Sequence, residues 1–529
     1  AAETVWQTDC NFVFHVLSKI TPCDPKRDVS GFKVTVQMRD LADVTLLLTS
    51  DVVMKTPDLR KYFMNNVRGA ICRLSTDDFI KFANEDSDTS NVLYATQTCG
   101  LCLIHDRRFW VFETHTLDAK GIPVDDVVIF LNNSNAPVLM DPLPATHMDV
   151  YARKLRTLGL ALRKYYKSCF CHVLHILSNT LKALHRDVVM RHWNGVSVTN
   201  VSGPPNIGKT FACAIALKML GARKELMLSR TTASAMLDVA DRVRNGLIIW
   251  DDPRDATEGQ LTSIVHEAFA DLSTQTIYKG SRKYKSCIII GTQYPQLGLR
   301  STQTHVASLS RLSHIHMRPD NDEEFSTHAE NALHEACVDV DLFGLLVNQH
   351  LSLKKYKQFE ERVTKANADA IQRSVQIVAL DWYLCDMLKA MGMPVSSDEL
   401  RDYFVSTQYA YLAQHCSRRS PFQLFCTDAL RVLEQYKDDS AFKTLTIELK
   451  LCGPTKCFAF YPQKFFKLLW ECCGETIYPS QSIFDLVRKS KGNLGEVSRN
   501  VMYVEPSGGR KVRRSVVIPL HLLHEQASG

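Results

Sequence analysis

The chain has 529 residues, of which 45% are hydrophobic and 23% are charged, and its formal net charge is +6. These values are typical of a globular protein with several folding units, and no apolar run approaches the roughly 20 residues that span a bilayer, so we expect no membrane association. The 17 cysteines are too scattered for a disulfide framework, which excludes a stapled secreted protein and indicates a reducing compartment, nuclear or cytoplasmic.

Residues 1–145 are predicted to form a separate α+β unit. Strand-like segments rich in β-branched residues (FKVTVQM, DVTLLLT, RFWVFET and DDVVIFL) alternate with helix-like segments such as residues 56–69. This pattern does not indicate a function for the unit. The segment CGLCLIH places Cys99, Cys102 and His105 at the spacing of zinc ligands, but no second ligand pair follows at a suitable distance, so we expect these residues to lie in a β-sheet.

Residues 146–190 have apolar positions at helical spacing with basic residues between them, which predicts a helical collar before the next unit. The cluster Cys169, Cys171, His172 and His175 contains residue types that bind metals. On an amphipathic helix such side chains pack more often than they bind a metal ion, and we expect packing.

A phosphate-binding loop is predicted at residues 203–210. This stretch fits every fixed position of the pattern G-x-x-x-x-G-K-[ST], with Gly203, Pro204, Pro205, Asn206, Ile207, Gly208, Lys209 and Thr210. A β-branched segment precedes the loop and good helix formers follow it, which is the context that the motif requires. Backbone N–H groups would face a β-phosphate, Lys209 would neutralise the β/γ oxygens, and Thr210 would help to hold Mg²⁺. The alternative is a chance match in a tight turn.

Two carboxylates follow the next apolar segment. Residues 247–250 form a continuous apolar run typical of a buried parallel strand, and Asp251 and Asp252 end it. Ligands of α/β sheets lie at the carboxyl ends of the strands, so the first acid is predicted to orient the metal and the second to polarise the attacking water. Alternatively, the two aspartates cap a helix predicted over residues 255–272.

A basic hairpin is predicted within residues 276–287, with its turn at Gly280 and Ser281. Its basic residues are Lys279, Arg282, Lys283 and Lys285, and two tyrosines, at positions 278 and 284, lie beside them. Basic groups beside aromatic rings are suited to the phosphate backbone and the bases of single-stranded nucleic acid. The alternative is a solvated charged hairpin.

Two further candidate segments follow the hairpin. The strand-like segment 285–295 ends in Thr292 and Gln293, polar side chains that could contact the γ-phosphate and the lytic water. Arg311 precedes a short alternating segment and could stabilise charge on a phosphoryl group bound by a neighbouring subunit, as arginine fingers do. Taken alone, an arginine in this position is more often just a surface residue, and its order after the other elements is what singles out Arg311.

In this order, the phosphate loop, the IIWDD strand, the IYKGSRKYK hairpin, the IIIGTQ strand and the SLSRLSHIHMRP segment resemble the superfamily 3 helicases. These are AAA+ motors of small DNA viruses, with relatives in RNA viruses and mobile elements, and the resemblance covers about residues 195–320. It differs at Gln293, where Asn is usual, and in an Asp–Asp pair where Asp–Glu or Glu–Glu is more familiar. The resemblance implies ATP and Mg²⁺ binding at Lys209, Thr210 and Asp251, water activation at Asp252, a sensor at Gln293 and a finger acting in trans at Arg311. It also implies that the hairpin lines the channel of a ring, which we expect to be hexameric.

Residues 321–438 have helical patterns and are predicted to form a lid bundle and a connector, with a break at GMPVSS and a capping box in SSDEL. Residues 439–529 have the pattern of helices followed by a basic hairpin, which is typical of a winged helix. The residues expected to contact nucleic acid here are Arg510, Lys511, Arg513 and Arg514, with further charge at Arg488, Lys489, Lys491 and Arg499. The alternative is a basic solubilising segment on a structural domain.

The predicted fold is α/β, with a P-loop AAA+ core of the superfamily 3 type at residues 191–320 between an N-terminal α+β domain, a helical collar and lid, and a C-terminal winged-helix-like domain. The predicted function is that of an ATP-dependent helicase or translocase in replication. Its expected partners are single-stranded nucleic acid, with DNA favoured over RNA, and further copies of the chain. The alternative is a non-unwinding P-loop ATPase that serves as a nucleotide-controlled assembly or regulatory switch.

Overall fold

The computed structural model describes residues 10–24, 28, 30–39, 41–86, 92–125, 127–131, 139–144, 148–193, 195–229, 231–253, 256–276, 280–293, 307–318, 326–415, 421–436, 446–450, 456–462, 465, 466, 469, 483, 484, 487, 488, 496–504 and 510–528. Five β-sheets lie within these residues.

The N-terminal region consists of short strands and helices. In chain order they are β1 (Val13–Pro22), β2 (Gly31–Gln37), β3 (Val44–Thr49), α1 (Ser50–Val53), α2 (Thr56–Asn66), α3 (Thr76–Asp86), β4 (Val92–Thr96), β5 (Cys99–Ile104), β6 (Arg107–Val111), β7 (Thr116–Asp118) and β8 (Val128–Phe130). The four strand-like segments of the sequence recur as β2, β3, β6 and β8, and the helix predicted over residues 56–69 is α2.

The first sheet has the order β3-β2-β1-β4-β8, antiparallel from β3 to β1 and parallel from β1 to β8. Side chains of β1 alternate between exposed and buried positions, which is the period of a strand with one covered face. A cluster of phenylalanine rings, including Phe14, Phe63 and Phe79, joins β1 to α2 and α3. This region therefore has a hydrophobic cluster of its own.

The middle of the chain alternates between helices and strands. Its elements are α4 (Met148–Tyr166), α5 (Phe170–Leu184), α6 (Arg186–Trp193), β9 (Val198–Ser202), α7 (Lys209–Met219), β10 (Met227–Ser229), α8 (Ala233–Arg242), β11 (Val243–Arg244), β12 (Leu247–Asp251), α9 (Glu258–Ala270), β13 (Ser273–Thr276), β14 (Gly280–Lys283), β15 (Cys287–Gly291) and β16 (Leu312–His316).

The central sheet is parallel throughout, in the order β10-β12-β15-β9-β16. Every residue of β9 and β15 is buried, which is expected of a parallel sheet covered on both faces. Strand β15 separates β9, which precedes the glycine-rich loop, from β12, which ends in Asp251. Because the strands are parallel, the loop and Asp251 lie at the same edge of the sheet.

A four-stranded sheet, β11-β5-β6-β7, connects the N-terminal and middle regions, since β11 follows α8 and pairs with β5. A Cβ at Gly100 in β5 would lie 2.1 Å from the carbonyl oxygen of Arg244, so this close pairing requires glycine. One hydrophobic cluster extends from Cys99 to Leu412 and crosses the unit boundaries expected near residues 145, 190 and 320. Those boundaries stay predictions.

The described residues between β16 and Tyr436 are mainly helical. The helices are α10 (Thr327–Ala336), α11 (Phe343–Val347), α12 (Leu353–Ala366), α13 (Gln372–Ala390), α14 (Ser397–Tyr403), α15 (Ala410–His415) and α16 (Pro421–Tyr436). Helix α13 is buried around most of its circumference, which is typical of the centre of a bundle, and it contacts α5 and α12. The predicted capping box is confirmed at the start of α14, where Ser396 and Glu399 bind each other's backbone N–H groups. No helix in this or any other described part of the chain is long and apolar enough to cross a membrane.

The described C-terminal elements are β17 (Thr446–Lys450), β18 (Lys456–Phe460), β19 (Glu496–Val504), β20 (Arg510–Pro519) and α17 (Leu520–Ser528). The strands form an antiparallel sheet in the order β17-β18-β20-β19. The pairing of β19 with β20 confirms the two strands of the predicted C-terminal hairpin. A phenylalanine cluster including Phe425, Phe460 and Phe465 joins the sheet to α16. The winged-helix interpretation stays a prediction: Arg488 and Arg514 are exposed, whereas Lys489, Lys491 and the side chains of Arg499, Arg510, Lys511 and Arg513 lie outside the described part of the structure.

Candidate nucleotide-binding site

The predicted phosphate loop follows β9 at the carboxyl edge of the central sheet, and α7 begins directly after it. Gly203 and Gly208 have φ values of 142° and 82°, a region that disfavours side chains. A Cβ at Gly203 would lie 2.3 Å from the carbonyl oxygen of Met317, and one at Gly208 would lie 2.9 Å from the ring of Tyr166. Both glycines are therefore required by backbone conformation and by close approach.

Lys209 lies over the loop that precedes it. Its Nζ donates to the carbonyl oxygens of Gly203 at 2.8 Å and Pro204 at 2.6 Å. Burial lowers the pKa of Lys209, and the nearby Asp251 carboxylate opposes that shift. An ammonium group beside a helix N-terminus attracts phosphate oxygens, because the backbone N–H groups there add to its positive charge.

Thr210 joins the loop to the end of β12, since its Oγ1 donates to Oδ2 of Asp251 at 3.0 Å. Burial raises the pKa of Asp251, the hydrogen bond from Thr210 lowers it, and the adjacent Asp252 raises it further. A hydroxyl and a carboxylate are the oxygen ligands that Mg²⁺ prefers when it is bound with a nucleotide. The residues present therefore fit a nucleotide-bound Mg²⁺.

Asp251→Asn is expected to stabilise the protein in the absence of nucleotide. Because the pKa of Asp251 is raised on folding, its ionised form is penalised in the folded chain, so stability decreases as pH rises through the titration of this carboxyl. The amide carries no such penalty. We expect a higher Tm than that of the wild type at neutral pH, and a difference that shrinks on acidification. Equal Tm values in calorimetry at neutral pH would contradict the effect of burial.

Asp252 follows β12 with a left-handed backbone, φ 50°, and its N–H donates to the carbonyl oxygen of Gly291 at 2.8 Å. Such strain in a residue other than glycine is common at functional sites. The alternative in which the two aspartates cap the next helix is wrong, because Thr257 caps α9 through a capping box with Gln260. Asp252 is partly exposed at the same edge of the sheet as the phosphate loop.

Two polar residues follow β15. Thr292 is buried and donates from Oγ1 to Oδ1 of Asn200 at 3.2 Å, whereas Gln293 is exposed. Asn200 lies in β9, and its Nδ2 is 3.4 Å from Nδ1 of His314 in β16. Asn200 therefore links three strands directly below the loop.

Sequence reasoning missed Asn200 and Tyr166. The Tyr166 hydroxyl donates to the carbonyl oxygen of Gly208 at 2.8 Å and so supports the loop from the end of α4. Asn200 could have been predicted, because it lies in a segment predicted to be a buried strand and buried polar groups require hydrogen-bond partners. Tyr166 gave no local signal, since its partner lies 42 residues further along the chain.

The predicted basic hairpin is confirmed as the antiparallel pair β13 and β14, but its turn was placed wrongly. Gly280 and Ser281 lie inside β14, and the connection falls at residues 277–279, so Lys279 is outside the described residues. The other basic side chains have acidic neighbours: buried Arg282 pairs with Asp238, Lys283 Nζ is 3.7 Å from Asp271, and Lys285 Nζ is 3.9 Å from Asp241. Nucleic-acid contact by these residues stays a prediction.

Arg311 immediately precedes β16 and therefore lies at the sheet edge opposite the phosphate loop. Strands β9 and β16 are parallel and have 5 residues each, a length of about 16 Å. The Arg311 guanidinium donates to the carbonyl oxygen of Ala307 and lies 5.7 Å from the ring centre of Phe269. A role for Arg311 at a nucleotide therefore requires the loop of another subunit.

The cysteines and histidines of the two clusters lie in or next to β5 and α5, where most are buried or partly buried and His105 is exposed. Cys99 and Cys102 are buried in β5, and His105 follows that strand with its Nε2 2.7 Å from the Tyr94 hydroxyl. Cys169, Cys171, His172 and His175 surround the start of α5, where burial lowers the pKa of His172 to about 4. Across the described ranges, no group of three or more His, Cys, Asp or Glu residues is placed to hold a metal ion.

No protein-family model matches the sequence, and no curated protein matches it. Among solved structures, the chain is similar to SCCmec type IV Cch, an active helicase, with a TM-score of 0.58 and 13% identity over 97% of this chain and 94% of that chain. Two other solved structures are much less similar to the chain. They are the apo C-terminal region of NrS-1 (TM-score 0.28, 10% identity, 98% of both chains) and a Cytophaga hutchinsonii protein provisionally identified as an ATPase (TM-score 0.29, 12% identity, 51% of this chain and 88% of that chain). The chain therefore has a helicase-like P-loop α/β fold, which it shares with Cch along nearly its whole length.

Proposed function

We propose that the protein is an ATP-dependent helicase or translocase that acts in replication. The observation that carries this proposal is the meeting of Lys209, Thr210 and Asp251 at one edge of a parallel sheet, where Thr210 Oγ1 is 3.0 Å from Asp251 Oδ2. The fold shared with a helicase supports the same function. The motif order of the superfamily 3 helicases, from the loop to Arg311, supports the finer assignment.

The chain's own groups would bind and orient ATP. Loop N–H groups and the N-terminus of α7 would bind the β-phosphate, and Lys209, whose Nζ now contacts the carbonyl oxygens of Gly203 and Pro204, would neutralise the β/γ oxygens. Thr210 and Asp251 would hold Mg²⁺, which supplies charge neutralisation to the phosphates when bound. Asp252 would orient the attacking water and accept its proton, and Gln293, exposed at the same edge, would sense the γ-phosphate.

The proposed active form is a ring of identical subunits. Arg311 lies about one strand length from the phosphate loop of its own chain, so it would contact the nucleotide of a neighbour. An interface that joins one face of a subunit to a different face of the next closes into a ring, and we propose six subunits. Single-stranded nucleic acid, DNA in preference to RNA, would pass through this ring in the nucleus or cytoplasm.

The ion pairs of the hairpin favour a second candidate function. Arg282 pairs with Asp238 and Lys283 lies near Asp271, so part of the positive charge expected in the channel is neutralised within the chain. A P-loop ATPase without unwinding activity, used as a nucleotide-controlled assembly or regulatory switch, needs no such charge.

The test of the two functions is the ATPase rate with and without single-stranded DNA and RNA at low and moderate salt. We expect one polymer to stimulate hydrolysis several-fold and salt to weaken this effect, because phosphate contacts release counterions. Measurable basal ATP hydrolysis that neither polymer changes would contradict the helicase function and favour the nucleotide-controlled switch. Absence of hydrolysis would refute both functions.

A further inference from the structure

Two arginines contact one aromatic ring at the sheet edge opposite the phosphate loop. The guanidinium carbons of Arg311 and Arg373 lie 5.7 Å and 5.3 Å from the ring centre of Phe269. Arg373 is the second residue of α13, and its Nη1 donates to Oγ of Ser310 at 3.4 Å. The segment before β16 and the helical region therefore each contribute one arginine to the same place. We call Arg311 and Arg373, which share the Phe269 ring, the arginine pair.

Among the described residues, no carboxylate pairs with either arginine. Within the described part of the chain, the guanidiniums bind a backbone carbonyl and a hydroxyl but form no ion pair, whereas Arg186 and Arg282 each pair with an aspartate. Burial and the charge of Arg373 lower the pKa of Arg311, and burial and both arginines lower that of neighbouring His266. Positive groups that repel one another at a partly exposed site favour the binding of an anion.

The position of the pair restricts which anion it can meet. A Cβ at Gly195 would lie 2.1 Å from the Phe269 ring, and Gly195 precedes β9, so the pair lies near the amino end of that strand. The chain's own loop begins at the other end, about 16 Å away for a strand of 5 residues. The polyphosphate of a bound nucleotide is therefore accessible to the pair only when a second copy of the chain presents it.

We propose that Arg373 is a second phosphate-contacting residue, which acts together with Arg311 on the nucleotide held by the phosphate loop of a neighbouring copy. Two guanidiniums converging on one ring suit the adjoining phosphoryl groups of a nucleoside triphosphate, since each presents planar, charge-assisted donors. The inference rests on the proposed function and adds a residue to it. It also makes the helical region of one subunit respond to the nucleotide of the next.

Arg373→Ala is expected to lower ATP turnover by about 100-fold or more, because it removes donors directed at developing phosphoryl charge. Binding of a fluorescent ATP analogue should change by less than about twofold, since the chain's own loop is intact. Arg362→Ala is the matched control. Arg362 also lies over aromatic rings, 5.4 Å from Phe359 and 5.9 Å from Trp382, but outside the arginine pair, so its substitution should leave turnover unchanged. Arg373→Lys, which keeps the charge, serves as a second variant should Arg373→Ala fail to fold.

Mixing variants separates action between subunits from action within one. Arg373→Ala subunits retain the loop and Lys209→Ala subunits retain Arg373, so a 1:1 mixture should recover up to about a quarter of wild-type turnover when the two meet head to tail. No recovery would place Arg373 at the nucleotide of its own chain and overturn the inference. Weaker polynucleotide affinity with unchanged basal turnover would assign the pair to a nucleic-acid backbone and also overturn it. Wild-type protein that does not hydrolyse ATP would remove the proposed function as well, whereas normal turnover by Arg373→Ala would remove this inference alone.

Discussion

Lys209→Ala is expected to lower the maximal rate of ATP hydrolysis by about 1,000-fold. The variant lacks the ammonium group, which would neutralise the β- and γ-phosphate oxygens while charge develops on them. Nζ binds the carbonyl oxygens of Gly203 and Pro204, so the side chain lies over the loop where the phosphates would bind. Phosphate release at saturating ATP and Mg²⁺ measures the effect.

The matched control for this variant is Lys218→Ala in the same helix. Lys218 lies in the last turn of α7, where its Nζ is 3.4 Å from the carbonyl oxygen of Cys337, far from the loop. Its loss should leave turnover within about twofold of the wild type and should change stability by less than about 1 kcal/mol. Normal hydrolysis by Lys209→Ala, with a normal unfolding midpoint, would refute the phosphate-loop assignment.

The strands that form the site were predictable because their signals are local. The segments 195–202, 247–250 and 285–295 contain β-branched or continuous apolar runs, and the structure has β9, β12 and β15 there. The glycine pattern likewise reports a local conformation, since Gly203 and Gly208 both have positive φ. A parallel sheet also places the ends of its strands at one edge, so the proximity of Thr210 to Asp251 follows from the same reasoning.

Two of the features that could not be predicted, the ion pair of Arg282 and the arginine pair, depend on partners that are distant in sequence. Arg282 was expected to face nucleic acid, but Asp238 in α8 lies 44 residues before it and pairs with it. The hairpin turn was misplaced because a Gly–Ser pair is typical of a turn, whereas pairing with β13 places both residues in a strand. The arginine pair depends on Arg373, which is 62 positions after Arg311 and has no motif around it.

The largest effect on stability is expected at a fully buried ion pair that no local pattern indicated. Lys182 in α5 and Asp381 in α13 are both buried, and Lys182 Nζ lies 2.6 Å from Asp381 Oδ1. His175 Nε2 lies 3.1 Å from the other carboxylate oxygen, which also accepts a hydrogen bond from Ser313 in β16. Burial alone would raise the pKa of Asp381, but the charge of Lys182 and the contacts with Lys182 and His175 outweigh burial and hold that pKa well below its usual value. The pair therefore connects the helix before the central sheet, the last strand of the sheet and the central helix of the bundle.

Lys182→Ala is expected to lower the free energy of unfolding by about 3–5 kcal/mol, because it leaves the Asp381 carboxylate buried without its main counter-charge. The double variant Lys182→Met with Asp381→Leu removes both charges and should be less destabilised than Lys182→Ala alone. Exposed Lys164 in α4 provides the control, since Lys164→Ala should change stability by less than about 0.5 kcal/mol. Urea unfolding followed by circular dichroism measures all three.

The pH dependence of unfolding gives a second measurement on the same variants. A carboxyl whose pKa is depressed on folding contributes stability that is complete above its unfolded pKa and is lost as pH falls through the folded value. In the wild type, acidification should therefore remove the contribution of Asp381. Removing Lys182 takes away the largest charge that holds this pKa down, so Lys182→Ala should lose less stability than the wild type over the same acidic range. If the free energies of unfolding of the wild type and Lys182→Ala changed in parallel with pH, the buried pair would not control the ionisation of Asp381. Equal unfolding midpoints of the two proteins at neutral pH would show that the pair does not stabilise the fold.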